Sequence, residues 1–125
     1  KPQYKIILQD ICVYFDKKIR NNPRNLTYYI NNGKALLLLH DRNQEAINVY
    51  NMAIIHGDTS AYVYSCRGFA YERQKNYQKA FDDYNKALSI NPNSPWIRQK
   101  LQNAESKIVQ PQTSFWQKLR GRLHL

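Results

Sequence analysis

The sequence has few of the residues that cross-link a chain or break its helices. It holds two cysteines, four glycines and five prolines in 125 residues. Cys12 and Cys66 are too few for a disulfide framework and stand at no metal-ligand spacing, so we expect reduced thiols in a cytoplasmic or cytoplasm-facing compartment. The longest apolar run is residues 35–39, far short of the roughly 18 residues that a membrane helix requires.

Catalytic motifs are also missing from the sequence. The three histidines are scattered at positions 40, 56 and 124, and there is no HExxH, no GxSxG and no glycine-rich phosphate loop. Asp82 and Asp83 are adjacent, but neighbouring helical residues point about 100° apart, so we expect them on a solvated face. The sequence therefore predicts no enzyme, no cofactor and no metal site.

Acidic residues are outnumbered, and the imbalance lies at the two ends. The net charge is +10. Residues 1–25 hold six Lys or Arg against two Asp, and residues 95–125 hold six against one Glu. Such ends suit nucleic acid, an anionic membrane or an acidic protein. The middle of the chain is nearly balanced, which argues against one continuous basic stripe.

What the sequence does contain is a helical periodicity that repeats. Residues 61–94 read as two antiparallel helices with a break at Lys75-Asn76, and Pro92 stops the second helix. A similar pattern occupies residues 27–60. Three pairs of residues stand 34 positions apart: Ala46 and Ala80, Tyr50 and Tyr84, Ala53 and Ala87.

This 34-residue helix–turn–helix unit resembles the tetratricopeptide repeat. The second copy carries the family pattern at Tyr64, Gly68, Tyr71, Ala80, Tyr84 and Pro92. Arg67 departs from it, because the family usually has Leu there. In the first copy Gly33 stands one residue early, so either the register shifts or one residue is inserted between Gly33 and Ala46. The resemblance implies an all-α, right-handed α-solenoid of about six or seven helices.

The resemblance also divides the chain into five segments. Residues 1–25 resemble the second helix of a preceding repeat whose first helix is absent, so the chain is expected to be a fragment. Residues 26–60 form a repeat-like unit and residues 61–94 a repeat. Residues 95–110 are a capping helix that stops near Pro111, and residues 111–125 are a basic amphipathic tail.

The tail opens with a capping-box pattern, Ser114-x-x-Gln117. Its predicted docking residues are Trp116, Lys118, Arg120 and Arg122, and its apolar stripe continues through Leu119 and Leu123. Three arrangements are open. The tail can pack back on the array, occupy a groove of its own or a neighbouring chain, or dock on a membrane or a foreign protein.

Stacked helix pairs form a concave face lined by the first helix of each pair, which suits a bound peptide or helix. The predicted partner-binding residues are Tyr28, Asn31, Tyr62, Ser65, Phe69, Glu72, Arg73, Trp96 and Gln99. If the register of the first copy slips by one, the immediate neighbours of Tyr28 and Asn31 take their places. The resemblance thus implies a non-enzymatic scaffold or assembly module that binds another protein. The alternatives are nucleic-acid binding through the basic terminal helices and membrane docking through the tail.

Some members of the family hold the acidic C-terminus of chaperones in a carboxylate clamp. The five clamp positions fall on Ile30, Lys34, Cys66, Trp96 and Lys100, or on Asn31 and Ala35 in place of the first two if the register shifts. Only Lys100 places a cation where the clamp requires one. The sequence therefore argues against a chaperone-tail adaptor.

Overall fold

The computed structural model describes residues 2–123, except for the side chains at position 2 and at 109–115. This part of the chain contains six α-helices and no strand. They are α1 (Pro2–Asn21), α2 (Leu26–Leu38), α3 (Asn43–Ile55), α4 (Ala61–Arg73), α5 (Tyr77–Ile90) and α6 (Pro95–Arg122). Each helix packs against the next along the chain, so the predicted all-α solenoid is confirmed.

Side-chain caps begin four of these six helices. The Asn25 side chain accepts a hydrogen bond from the Thr27 amide at 3.1 Å. The Ser60 and Ser94 hydroxyls accept from amides three residues on, each at 3.3 Å. Each cap satisfies a donor that the first turn of a helix leaves unpaired. The break at Asn76 works in the same way, because its side chain accepts from the Lys79 amide.

The repeated small and aromatic residues form the packing face between helices. Ala46, Tyr50 and Ala53 are completely buried, and so are their counterparts Ala80, Tyr84 and Ala87. Small side chains let two helices approach closely, and the tyrosine rings fill the space between them. This arrangement explains why the 34-residue spacing is visible in the sequence at these positions.

The register of the first repeat is settled by its glycine. A Cβ atom added to Gly33 would lie 2.4 Å from Cζ of Tyr50, and one added to Gly68 would lie 3.0 Å from Cε1 of Tyr84. The two glycines are therefore equivalent, although they stand 35 residues apart and their tyrosines 34. Residues 39–42 join α2 to α3, whereas residues 74–76 join α4 to α5. The inserted residue lies in the first of these loops, so α2 aligns with α4 at an offset of 35.

The adjacent acids Asp82 and Asp83 do not share a solvated face. Asp82 is exposed, but Asp83 is only 5% exposed. The guanidinium of Arg67 donates to both Asp83 carboxylate oxygens, from Nη2 at 2.7 Å and from Nε at 2.9 Å. The expectation of a solvated pair is wrong for Asp83, because Arg67 occupies a packing position and needs a buried partner.

α6 does not stop near Pro111 as predicted. It runs without a break from Pro95 to Arg122, 28 residues against 14 in α5. A proline inside a helix removes one backbone hydrogen bond and need not end the helix. At 1.5 Å per residue, α6 is about 42 Å long and α5 about 21 Å, so the C-terminal half of α6 extends past α5. The fold-back arrangements of the tail do not fit this continuous helix, and the predicted cap at Ser114 falls among the side chains outside the described residues.

Candidate partner-binding groove

A cleft of about 450 Å³ opens between α4 and the start of α6. Four predicted partner-binding residues line it: Tyr62, Ser65, Phe69 and Trp96. The three on α4 follow the spacing i, i+3, i+7, which places them on one helix face. Ala61, Cys66 and the buried Ile97 contribute the rest of its apolar wall. The cleft thus brings aromatic side chains from two successive first helices together.

These four residues differ in how far their side chains are exposed to a partner. Tyr62 is 43% exposed and Trp96 is 50% exposed, while Phe69 is half-buried. Ser65 is only 5% exposed, and its hydroxyl donates to the Tyr62 carbonyl at 2.9 Å. A partner can therefore contact the three rings, whereas Ser65 shapes the wall.

Cations surround the aromatic cleft. The guanidinium carbon of Arg73 lies 4.4 Å from the centre of the Phe69 ring. Lys100 Nζ lies 4.8 Å from the Phe69 ring and 5.6 Å from the Trp96 ring. On the α2 side, Lys34 Nζ lies 5.5 Å from the Tyr62 ring. Cations at these distances attract the ring faces. The cleft therefore has an apolar floor and a positive edge.

Two predicted residues at this edge, Glu72 and Arg73, are engaged inside the fold. The carboxylate of Glu72 accepts from the Tyr84 hydroxyl at 3.0 Å and from Lys100 Nζ at 3.3 Å. Arg73 donates through Nη1 to the Leu37 carbonyl oxygen of α2. Glu72 therefore positions Lys100, and Arg73 joins α4 to α2 while its guanidinium covers Phe69.

Burial disfavours the thiolate form of the cysteine in the cleft wall. It raises the pKa of Cys66 above its ordinary value. A thiol rather than a thiolate reacts slowly. Cys12 and Cys66 are both free cysteines.

The predicted residues of the first copy do not line the cleft. With the offset of 35, Thr27 and Ile30 replace Tyr28 and Asn31 as the counterparts of Tyr62 and Ser65. Tyr28 instead faces α1, where its ring lies 6.2 Å from that of Phe15. Gln99 also lies off the cleft, and its amide donates to the Asn103 side chain at 3.1 Å.

Lys34 and Lys100 were not among the predicted partner-binding residues, although the sequence placed both at clamp positions. The offset of 35 makes Lys34 the counterpart of Phe69. The extra residue between Gly33 and Tyr50 was the sequence signal that could have revealed this offset. Lys100 lies one turn after Trp96 on the same face of α6, so helical spacing alone could have placed it there.

The predicted tail residues sit at the end of α6. Trp116 is 59% exposed and Leu123 is 57% exposed. Lys118, Arg120 and Arg122 are all exposed, and Leu119 is half-buried. This end of the helix therefore offers apolar side chains beside three cations.

Within residues 2–123, no group of three or more His, Cys, Asp or Glu side chains is arranged to hold a metal ion. In the same part of the chain, no helix combines the length and the apolar character needed to cross a bilayer.

Comparison with known proteins agrees with this architecture. Residues 61–94 match the family model of the tetratricopeptide repeat. Over 102 residues, 81% of the chain, the sequence is 30% identical to the DnaJ homolog subfamily C member 3 homolog of Dictyostelium discoideum. The chain spans only 20% of that protein's length.

Solved structures of the same fold superpose well. The tetratricopeptide domain of Arabidopsis OM64 has a TM-score of 0.71 and 25% identity, covering 76% of this chain and 78% of that one. The first such domain of Spaghetti (RPAP3), bound to the HSP90 peptide SRMEEVD, has a TM-score of 0.72 and 19% identity. That match covers 87% of this chain and 96% of the other.

Proposed function

The chain has the tetratricopeptide-repeat fold, and we propose that it binds a segment of another protein in the cleft between α4 and α6. Domains of this fold are non-enzymatic modules of protein–protein interaction. The observation that carries the proposal is the convergence of Tyr62, Phe69 and Trp96 on one cleft of about 450 Å³. Partly exposed aromatic residues in a pocket are typical anchors of binding energy.

The cleft favours a ligand with an apolar anchor and acidic neighbours. The anchor would lie against the rings of Tyr62 and Trp96, which are 43% and 50% exposed. Lys34 beside Tyr62 and Lys100 beside Trp96 would meet the carboxylates. Glu72 is the acid beside them, and it already pairs with Lys100. We do not expect the chain to bind the HSP90 peptide of the similar structure. In the register indicated by the contact between Gly33 and Tyr50, the clamp positions hold Ile30, Lys34, Cys66, Trp96 and Lys100, and only Lys100 is a cation where the clamp requires one.

Removing two of the aromatic anchors is expected to weaken ligand binding. A random peptide library displayed on phage and selected on the intact chain supplies the ligands, whose affinities are measured by calorimetry. Tyr62→Ala with Phe69→Ala should weaken the selected peptides by more than about 2 kcal/mol, roughly 30-fold. Helicity measured by circular dichroism should not change.

A matched control removes apolar side chains elsewhere. Ile55→Ala with Ile90→Ala changes two residues on second helices, 72% and 41% exposed, and should leave peptide affinity unaltered. Selected peptides that bind the Tyr62/Phe69 variant as tightly as the wild-type chain would show that another surface binds the partner.

A second candidate function is docking on an anionic membrane surface through the end of α6. It is favoured by exposed Trp116 and Leu123 beside Lys118, Arg120 and Arg122. Basic residues near such a surface contribute about 1 kcal/mol each, so removing three should weaken binding roughly 100-fold. Nucleic-acid binding through the basic ends stays a prediction from charge alone.

Co-sedimentation with phosphatidylserine-containing vesicles measures this docking. The variant with Ala at Lys118, Arg120 and Arg122 should remain in the supernatant. A control with Ala at Lys17, Arg20 and Arg24 removes the same charge from the other end and should sediment like the wild-type chain. Equal sedimentation of both variants, or none by the wild-type chain, would exclude the tail as a membrane anchor.

A cytoplasmic or cytoplasm-facing location fits the main proposal. Cys12 and Cys66 are free thiols, one buried and one in the cleft wall. Thiols of this kind persist in reducing compartments.

A further inference from the structure

Lys100 joins the cleft to a carboxylate outside it. Its ammonium lies 4.8 Å from the centre of the Phe69 ring and 5.6 Å from that of the Trp96 ring. The same ammonium lies 3.3 Å from Oε2 of Glu72. Glu72 borders a second pocket of about 280 Å³, together with residues of α6. The cation at the Trp96 end of the cleft is therefore already paired before any ligand arrives.

The Glu72 carboxylate is held in place from inside the fold. Its other oxygen, Oε1, accepts a hydrogen bond from the Tyr84 hydroxyl at 3.0 Å, and Tyr84 is completely buried. The Glu72 and Lys100 side chains are only 25% and 21% exposed. A lysine ammonium moves on a flexible four-carbon stem, whereas this carboxylate is held by two donors. Of the two charges, Lys100 is the one that can turn towards a ligand.

Lys34, at the Tyr62 end of the cleft, has no such partner. Its side chain is exposed, and its ammonium lies 5.5 Å from the centre of the Tyr62 ring. Among the residues that the structure describes, no Asp or Glu forms an ion pair with it. A ligand carboxylate can therefore bind Lys34 without displacing another anion.

The two ends of the cleft consequently favour an acidic ligand unequally. At the Trp96 end, a ligand carboxylate would either be repelled by Glu72 or have to break an ion pair that water screens only in part. We propose that Glu72 competes with the partner for Lys100, so that a carboxylate beside Tyr62 contributes more to binding than one beside Trp96. This inference rests on the proposed function of the cleft. The preferred partner is then a segment whose main acidic residue lies at the Tyr62 end.

Replacing Glu72 with glutamine removes the competing charge. The peptides selected on the intact chain are the probe, each in an acidic form and in a form with its Asp and Glu changed to Asn and Gln. Glu72→Gln should bind the acidic forms about tenfold more tightly, because Lys100 is released, and should gain less than about twofold on the neutral forms. Glutamine still offers an oxygen to the Tyr84 hydroxyl. Glu105→Gln is the matched control, because Glu105 is exposed on α6 and the net charge changes equally.

A comparison of the two lysines tests the competition with Glu72 in place. In the wild-type chain, Lys34→Met should weaken the acidic forms about tenfold and Lys100→Met about twofold, because only Lys34 is free for the ligand. In the Glu72→Gln chain, Lys100→Met should weaken them about tenfold as well, and the difference measures the coupling of Glu72 to Lys100. Methionine keeps a flexible apolar stem beside the rings, and circular dichroism checks that each variant folds.

Three results would overturn this competition and leave the proposed function intact, provided that the Tyr62/Phe69 variant still loses binding. The first is that acidic peptides bind Glu72→Gln no more tightly than the wild-type chain. The second is an equal gain from Glu105→Gln. The third is a loss for Lys100→Met as large as that for Lys34→Met in the wild-type chain. A wild-type chain that selects no peptide would overturn the proposed function, and the competition with it.

Discussion

Replacing Asp83 with alanine is expected to lower the free energy of unfolding by about 3–5 kcal/mol. Asp83 is 5% exposed and accepts two hydrogen bonds from the Arg67 guanidinium, at 2.7 and 2.9 Å. The Arg67 side chain is itself only 21% exposed. Removal of the carboxylate would leave the guanidinium with one remaining described hydrogen bond, to the Asn51 side chain at 2.9 Å, beside the Tyr64 ring at 5.5 Å. Urea denaturation followed by circular dichroism measures the loss.

Two further variants make this result specific. Asp82→Ala removes a neighbouring carboxylate that is exposed and accepts only from the Gln78 side chain among the described contacts. It should change stability by less than about 0.5 kcal/mol. Arg67→Leu with Asp83→Leu removes both charges together and should recover most of the loss, because a buried ion pair often exchanges for apolar side chains at little cost. A loss below about 1 kcal/mol for Asp83→Ala would mean that the pair is solvated.

The buried pair shows what the sequence revealed and what it concealed. Arg67 was visible as a departure from the repeat pattern, at a position where the family packs Leu. Its partner was not visible, because Asp83 lies on the next helix and looked like half of an exposed acidic pair. A cation in a packing position predicts that a buried anion exists. Only the packing of α4 on α5 shows which one it is.

The fold itself was largely predictable, because its signals are local. Ala80, Tyr84 and Ala87 recur 34 residues from their counterparts, and each member of these pairs is completely buried. The end of α6 was not predictable by the same rules. Pro111 marks the end of a helix in most sequence patterns, yet α6 continues to Arg122.

The cleft was predictable on the second repeat and not on the first. Tyr62, Ser65 and Phe69 sit on a helix whose register is fixed by both Gly68 and Tyr71, and the structure brings them together with Trp96. The first repeat offered two registers, since an insertion in a loop leaves both helical patterns intact. The contact between Gly33 and Tyr50 distinguishes them, and it puts Lys34 rather than Ala35 in the groove. The role of the cleft residues in binding a partner stays a prediction.

The close contact between Gly33 and Tyr50 predicts a second large loss of stability. Gly33→Ala is expected to destabilise the chain by about 3 kcal/mol, at the upper end of the cost of overpacking. The new Cβ would lie 2.4 Å from Cζ, 2.6 Å from Cε1 and 2.7 Å from the hydroxyl oxygen of Tyr50. Tyr50 is completely buried, so its ring cannot swing into solvent, and α2 and α3 must separate instead.

Graded substitutions at the other glycines test the steric explanation. At Gly68 the nearest atoms would be 3.0–3.1 Å from the new Cβ, so Gly68→Ala should cost less than Gly33→Ala, and Gly68→Leu should cost about 1–3 kcal/mol. At Gly121 in α6 a Cβ would meet nothing within 4 Å, and Gly121→Ala should be neutral or stabilise the helix by up to about 1 kcal/mol. If Gly33→Ala and Gly121→Ala unfold at the same urea concentration, close packing of Gly33 on Tyr50 does not hold the first repeat together. The register that rests on it, and with it the place of Lys34 in the groove, would then be wrong.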